Sequence, residues 1–172
     1  MQTTGTFFSR LALIVRFWMI AGSLLLFFGC AGDEVCEEVT ANNLRLGFYL
    51  YGLDDSSWTV IDSLRVFTPE DPDNPLYEHL GMVSVLELPL NLHADSCAFI
   101  IDFYHVKDTL WFNYKRETHF VSVECGFTMF FEITGVAYTT NHIQHVSENI
   151  TYVTNSLDEH YKIYIPPAIG IN

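Results

Sequence analysis

The stretch Asp108–Glu117, DTLWFNYKRE, alternates apolar and polar side chains along most of its length. Leu110, Phe112 and Tyr114 fall on one face of an extended chain, and the side chains between them fall on the other. Because the side chains of a β-strand point alternately to its two faces, this pattern predicts a strand with one face buried in a core.

The same period of two recurs along most of the chain. The apolar residues predicted to share a face are Leu44, Leu46, Phe48 and Leu50; Leu64 and Val66; Leu86, Leu88 and Leu90; and Phe127, Met129, Phe131 and Ile133. The segments NITYVTN (149–155) and EHYKIYI (159–165) have the same character. Turn-forming residues separate these runs in LDDSSW (53–58) and TPEDPDNP (68–75).

About eight or nine short strands without a helical period predict an all-β fold. We predict an antiparallel β-sandwich with an immunoglobulin-like arrangement of strands. A small barrel is the alternative. Pro89 lies within one of the apolar runs, and because proline cannot donate to a β-ladder, it predicts an edge strand or a bulge there.

The first 29 residues have the composition of a secretion signal. Their charged residues are Arg10 and Arg16, and Phe17–Phe28 carries no charge. This run is shorter than the roughly 20 apolar residues that a membrane-spanning helix needs. A basic segment, a short apolar core and a small residue at the end are typical of a signal peptide, which we predict over residues 1–29. The alternative is an uncleaved anchor helix, Leu11–Phe28.

The order FFGC at residues 27–30 resembles the bacterial lipoprotein box, in which the signal is cut before a cysteine that then carries lipid. Phe28 departs from the small residue usual at its position. The resemblance implies that Cys30 carries palmitate and anchors the protein in the outer membrane, on the periplasmic face or at the cell surface. Asp33 and Glu34 resemble the short acidic signal that exports lipoproteins of Bacteroidota to the cell surface.

We predict an acidic tether over residues 30–43, the sandwich domain over 44–165 and a C-terminal tail over 166–172. Residues 30–172 contain all 21 acidic residues and six of the eight basic ones, a formal charge of −15. Such a surface repels nucleic acid, so we expect no nucleic-acid partner.

Three cysteines follow the predicted anchor: Cys36, Cys97 and Cys125. Spacing alone allows three pairings. An exported protein meets an oxidising compartment, where one disulfide is expected. Cys97 is in phase with apolar neighbours and fits a small buried side chain. We favour a disulfide between Cys36 and Cys125, which would fasten the start of the domain to its middle.

The strand motifs also resemble a known family. The segments LRLGFY, DSLRVF, NPLYE, LELPLNLHADS, DTLWFNYKRE, VSVECGF, NHI and DEHYKIY, in this order, resemble a family of Bacteroidota lipoproteins of unknown function, and the match covers most of residues 36–165. The resemblance implies the cell-envelope compartment and the fold, and it carries no activity. It supports the pairing of Cys36 with Cys125, and it implies an outer-membrane β-barrel protein as a partner.

No motif in the chain indicates catalysis. His142 and His145 are three residues apart and would point to opposite faces of a strand. The loop EDPDNP (70–75) offers oxygen ligands of the kind that calcium prefers but lacks the spacing of an EF-hand. Cys97 would need exposure and a base to act as a nucleophile. We therefore expect no catalytic residue, no metal and no cofactor.

Aromatic residues offer a second kind of site. Trp58, Trp111, Tyr49, Tyr51, Tyr104, Tyr114 and Tyr164 are candidates for an exposed surface, and the opposing interpretation is that they fill the core. Ser63 and Thr109 lie in tripeptides that resemble the O-glycosylation acceptor of Bacteroidota, Asp-Ser-Leu and Asp-Thr-Leu.

Taken together, the sequence favours a non-enzymatic, lipid-anchored envelope protein that serves as an accessory or binding subunit of an outer-membrane assembly. A glycan- or peptide-binding surface module is the alternative.

Overall fold

A computed structural model describes residues 42–53 and 57–167, which contain ten β-strands and no helix. The strands are β1 (Asn43–Leu50), β2 (Leu64–Phe67), β3 (Tyr77–Leu80), β4 (Val85–Pro89), β5 (Ser96–Phe103), β6 (Val106–Ser122), β7 (Gly126–Tyr138), β8 (His145–Glu148), β9 (Tyr152–Val153) and β10 (Tyr161–Ile165). The all-β prediction is confirmed. Within the described ranges nothing forms a helix that could cross a membrane.

The strands form two sheets. The smaller sheet has the order β4-β1-β10-β8, and the larger has the order β3-β2-β5-β6-β7-β9. β1 and β10 run parallel, and every other pairing of strands is antiparallel. The sheets pack face to face, which confirms the predicted sandwich. No ladder joins the two sheets in the part of the chain that the structure describes, so they do not close into the alternative barrel.

The core lies between the sheets and follows the predicted alternation. Leu110, Phe112 and Tyr114 of β6 are all buried. The ring of Phe48 from the smaller sheet meets the ring of Phe103 from the larger sheet edge-on, with 6.0 Å between centroids. Aromatic residues bury about 150–250 Å² each, so such pairs contribute much of the apolar area that stabilises the sandwich. Tyr114 belongs to this core. Tyr164 is also buried, but its ring packs against the rings of Tyr49 and His145.

β4 confirms the prediction made from Pro89. It is an edge strand of the smaller sheet, and Pro89 is its last residue. Leu86, Leu88 and Leu90 are buried, as the alternation predicted. The backbone N–H that Pro89 lacks would therefore lie at the end of the ladder, where proline is tolerated.

β6 and β7 are longer than the strands beside them. The partner strand β5 accompanies β6 only from Val106 to Asn113, and β9 pairs with β7 only at Phe131 and Glu132. Residues 115–130 therefore continue beyond both neighbouring strands as a two-stranded ribbon, which we call the arm.

The arm corrects one expectation about burial. Phe127, Met129, Phe131 and Ile133 share a face, but only Phe131 and Ile133 are buried. Met129 is half-buried, and Phe127 is 69% exposed. The apolar face of β7 extends beyond the smaller sheet, so no strand of the described residues covers its first residues.

Candidate binding surfaces

The long strand β6 gives the domain two distinct ends. It starts after the turn at Tyr104 and His105 and finishes at the tip of the arm. At roughly 3.4 Å per residue, β6 spans about 55 Å. We call the end with the Tyr104–His105 turn the aromatic end, and the opposite one the arm end. Asn42, where the described chain begins, lies at the arm end, where it bonds to Thr128 and Met129.

Large side chains are exposed at the aromatic end. Tyr51 directly follows β1, and its backbone N–H donates to the carbonyl of Ile165. Trp58 forms a β-bridge with Tyr49 and is 64% exposed, and Tyr104 is 63% exposed. Aromatic side chains of this kind stack on sugars and peptides, so this end fits the exposed surface that the sequence raised as an alternative.

An apolar cleft of about 290 Å³ opens at the aromatic end. Ile61, Phe103, Tyr104, His142 and Ile165 are among its lining residues. The ring of Phe103 lies 4.9 Å from the ring of His142, centroid to centroid. Burial lowers the pKa of His142, and the nearby carboxylate of Asp108 only partly opposes this shift. The imidazole is therefore neutral at neutral pH and adds to the apolar character of the cleft.

A second, charged cleft of about 230 Å³ lies beside the first. Arg65, Glu78, His79, Asp102 and His105 are among the residues that line it. The Nε atom of Arg65 lies 3.2 Å from a carboxylate oxygen of Glu78. Tyr104 lines both clefts. An apolar and a charged cleft on either side of one exposed tyrosine could bind a ligand with both kinds of group.

The backbone is strained at this end. The non-glycine residues with positive φ in the described chain are His79, Met82, Tyr104 and His105, with φ of 51°, 57°, 50° and 73°. Residues other than glycine in this left-handed region cost of order 1–3 kcal/mol each, and such strain clusters at ligand sites. The backbone N–H of His105 donates to Oδ1 of Asp102 at 2.7 Å, which holds the turn in place.

Asp108 fixes the loop that carries His142. Its carboxylate is fully buried and accepts hydrogen bonds from the Thr139 hydroxyl and from the backbone N–H groups of Asn141, His142 and Ile143, at 2.6–2.8 Å. Burial alone would raise the pKa of Asp108, but these four donors outweigh it and lower the pKa. The carboxylate thus replaces a backbone partner for three consecutive residues of the loop.

The tripeptides predicted as glycosylation acceptors differ in access. Ser63 is half-buried, and the preceding Asp62 is exposed. Thr109 is also half-buried, but the preceding Asp108 has no exposed surface and is engaged by the loop. An enzyme that reads the acidic residue could therefore reach it beside Ser63 and not beside Thr109 in the folded domain.

The predicted cysteine sites are only partly described. Cys30 and Cys36 lie outside the described residues, so the lipid attachment and the Cys36–Cys125 disulfide stay predictions. Cys125 lies at the tip of the arm, where its backbone N–H donates to Oγ of Ser122 at 3.0 Å. Cys97 is a free thiol and is half-buried rather than fully buried as expected. Burial raises the pKa of Cys97 to about 11, the reverse of what a nucleophile needs.

The histidines and the acidic loop do not converge. His142 lies in a loop and His145 in β8, and in the loop at residues 70–75 the amide of Asn74 donates to the carboxylate of Asp71. The described part of the chain contains no group of three His, Cys, Asp or Glu residues that could hold a metal ion.

An apolar groove of about 620 Å³ lies at the arm end. Leu90, Leu92, Phe127, Met129 and Phe131 are among its lining residues. The groove forms because the inner face of β7 continues past the edge of the smaller sheet. The sequence carried the alternation that makes this face apolar, but it did not indicate that the face is left uncovered.

A protein-family model matches most of the described chain. The model of a family of unknown function, DUF6452, matches residues 63–165, which include strands β2 to β10. No curated protein and no solved structure matches the chain.

Proposed function

The chain belongs to DUF6452, a family of unknown function, and from that premise we propose that it is a lipid-anchored protein of the bacterial cell envelope. It acts without catalysis, as an accessory or binding subunit of an outer-membrane assembly of Bacteroidota. Its signal peptide covers residues 1–29, Cys30 carries palmitate, and a disulfide joins Cys36 to Cys125. An outer-membrane β-barrel protein is the proposed partner.

One observation carries this proposal: the start of the described chain and the exposed aromatic side chains lie at opposite ends of the domain. Asn42 bonds to the arm, whereas Trp58 and Tyr104 lie at the other end of β6. A lipid on Cys30 would hold the domain by its N-terminal side. The aromatic end would then point away from the membrane and be free to meet a partner.

The absence of catalysis is supported by the state of the side chains that could act. The thiol of Cys97 is protonated at neutral pH, because burial raises its pKa to about 11. Asp108 is occupied by four hydrogen-bond donors and has no exposed surface. A catalytic acid or nucleophile needs both access and a pKa suited to its task, and neither residue has both.

The strained turn favours a second candidate function, the binding of a glycan or peptide. Tyr104 and His105 have positive φ at a boundary between an apolar and a charged cleft. Strain of this kind is retained where the surroundings require one conformation. In this alternative, the ligand would stack on Tyr104 or Trp58 and pair with the charged cleft.

The anchor is tested by intact mass and palmitate labelling of the native protein beside a Cys30→Ala variant. The expected result is a mature chain that starts at Cys30 and carries acyl mass, with the label lost in the variant. An unmodified chain that keeps residues 1–29 would contradict the lipoprotein proposal.

The binding role is tested by crosslinking from gently solubilised membranes. We compare the wild type with Trp58→Ala and Tyr104→Ala, and use Trp111→Ala as a matched control, because Trp111 is an exposed aromatic residue on the larger sheet rather than at its end. Loss of a co-purified membrane protein in the first two variants, but not in the control, is expected. The second candidate replaces the first if the wild type co-purifies with no membrane protein but binds glycans or peptides. In that case the Tyr104→Ala variant should not bind them.

A further inference from the structure

The tip of the arm exposes three large apolar side chains. Phe120 is 52% exposed, Phe127 is 69% exposed, and Val123 between them is 86% exposed. The rings of Phe120 and Phe127 touch edge-on, with 5.3 Å between their centroids. We call these three residues the apolar tip. Clusters of this kind mark surfaces that bind another apolar phase.

The apolar tip is continuous with the groove at the base of the arm. Phe127 belongs to both, and Met129 and Phe131 extend the same face of β7 inward to the core. An apolar strip therefore runs from the buried core to the outermost residues of the domain. The exposed outer end of this strip adds little to the packing of the sandwich, which favours an external contact.

The route of the chain indicates what that contact is. Asn42 donates to Oγ1 of Thr128 at 2.9 Å and to the carbonyl of Met129 at 2.6 Å, so the chain enters the fold on the arm itself. Cys30 lies twelve residues earlier in the sequence. At most about 3.5 Å per residue, the connecting segment reaches no more than roughly 42 Å, which keeps the arm near any membrane that holds Cys30.

The chemistry of the tip suits the interfacial layer of a bilayer. Phenylalanine is one of the residues that interfacial segments bury at the headgroup boundary, and Glu124 is the one charged side chain between Phe120 and Phe127. The side chain of Glu124 is exposed and can stay among the headgroups. The edges of a two-stranded ribbon cannot enter the hydrocarbon, because their backbone groups would lose their hydrogen bonds. Insertion is therefore limited to side chains at the tip.

We propose that Phe120, Val123 and Phe127 insert into the interfacial layer of the membrane that holds the anchor, so that the domain contacts the membrane at two points. This inference rests on the proposed function for the identity of the anchor. The second contact limits rotation of the domain about its tether and directs the aromatic end away from the bilayer. The net negative charge of the mature chain makes a zwitterionic bilayer the better surface.

The experiment uses the full chain, in its native processed form, reconstituted into phosphatidylcholine vesicles that contain a phospholipid with a photoreactive acyl chain. After illumination, lipid adducts are located by mass spectrometry. We expect at least ten-fold more adduct on residues 118–129 than on residues 51–62 or 102–106. In the triple variant Phe120→Ser, Val123→Ser, Phe127→Ser the arm adducts should be lost, and an unchanged urea unfolding midpoint shows that the variant folds.

The possible outcomes distinguish failure of the membrane contact from failure of the lipid anchor. An acylated Cys30 with an unlabelled arm overturns the membrane contact and leaves the anchor intact. An arm that is labelled although Cys30 carries no lipid supports the contact and rejects the lipid anchor. If the tip is unlabelled in vesicles but crosslinks to a protein in native membranes, the occupant is a protein and the inference is wrong.

Discussion

The side-chain amide of Asn42 donates a hydrogen bond to the backbone carbonyl of Met129 at 2.6 Å. Asn42 precedes β1 of the smaller sheet, whereas Met129 belongs to β7 of the larger sheet. This contact, with a second bond to Oγ1 of Thr128 at 2.9 Å, joins the two sheets where the arm leaves the sandwich. The start of the domain is thereby fastened to the arm.

Replacing Asn42 by Ala should lower the free energy of unfolding by about 1–3 kcal/mol, because two hydrogen bonds that join the sheets are lost. Urea unfolding measures the change. Asn113→Ala is the control, since Asn113 is exposed on the outer face of β6 and exposed positions usually change stability by less than about 0.5 kcal/mol. Equal effects of the two substitutions would contradict the role given to Asn42.

Asp108→Asn should destabilise the domain at neutral pH by about 2–4 kcal/mol, because a buried carboxylate with four donors is replaced by a group that accepts fewer bonds. The pKa of Asp108 is lower in the folded state than in the unfolded state. Its contribution is therefore fully present above the unfolded value of about 4 and is lost as the pH falls through the folded value.

The stability difference between wild type and Asp108→Asn should therefore shrink as the pH is lowered from about 5 towards 2. Urea unfolding at a series of pH values measures it, with Asp62→Asn as the control, because Asp62 is exposed. If the difference stays constant over this pH range, ionisation of Asp108 does not contribute to the free energy of unfolding, and the prediction is wrong.

The double substitution Tyr104→Asn, His105→Gly should stabilise the domain by about 1–2 kcal/mol, because these residues tolerate positive φ in a two-residue hairpin turn. The flanking residues Phe103 and Val106 are paired, as such a turn requires. Urea unfolding measures the gain. Gly52→Ala provides the opposite control, since Gly52 has φ of 81° and an added Cβ should destabilise. No gain in the double variant would mean that the turn is unstrained.

Cys97 should react with iodoacetamide at pH 8 roughly 100-fold more slowly than an unperturbed thiol, because its pKa is raised to about 11 and little thiolate is present. Peptide mass mapping without reductant measures the rate at this residue. In urea the reaction should accelerate to the ordinary rate as the domain unfolds. A fast reaction in the native protein would contradict the burial of the thiol.

The alternation in the sequence was sufficient to assign most strand faces. Leu110, Phe112 and Tyr114 are buried together because a strand with one apolar face has only one way to bury it. Pro89 correctly indicated an edge, since a missing N–H is tolerated only where no partner needs it. Both features could be predicted because each depends on residues that are neighbours in the sequence.

The candidate surfaces were less predictable. The dipeptide Tyr104-His105 lacks the Asn-Gly or Asp-Gly sequence that is typical of a tight hairpin turn. The sequence therefore did not predict the positive φ angles of these two residues. Asp108 was read as part of a glycosylation acceptor, whereas its carboxylate binds a loop more than 30 residues away. Such contacts depend on which segments meet in space.

The sequence by itself determined the secondary structure, the identity of the apolar faces and the acidic character of the domain, because each follows from neighbouring residues. Only the tertiary structure decided which apolar residues are covered. Phe127 and Phe131 lie on the same face of one strand, yet the first is exposed and the second buried. Coverage depends on where the opposite sheet ends, and that is set by the pairing of strands distant in sequence.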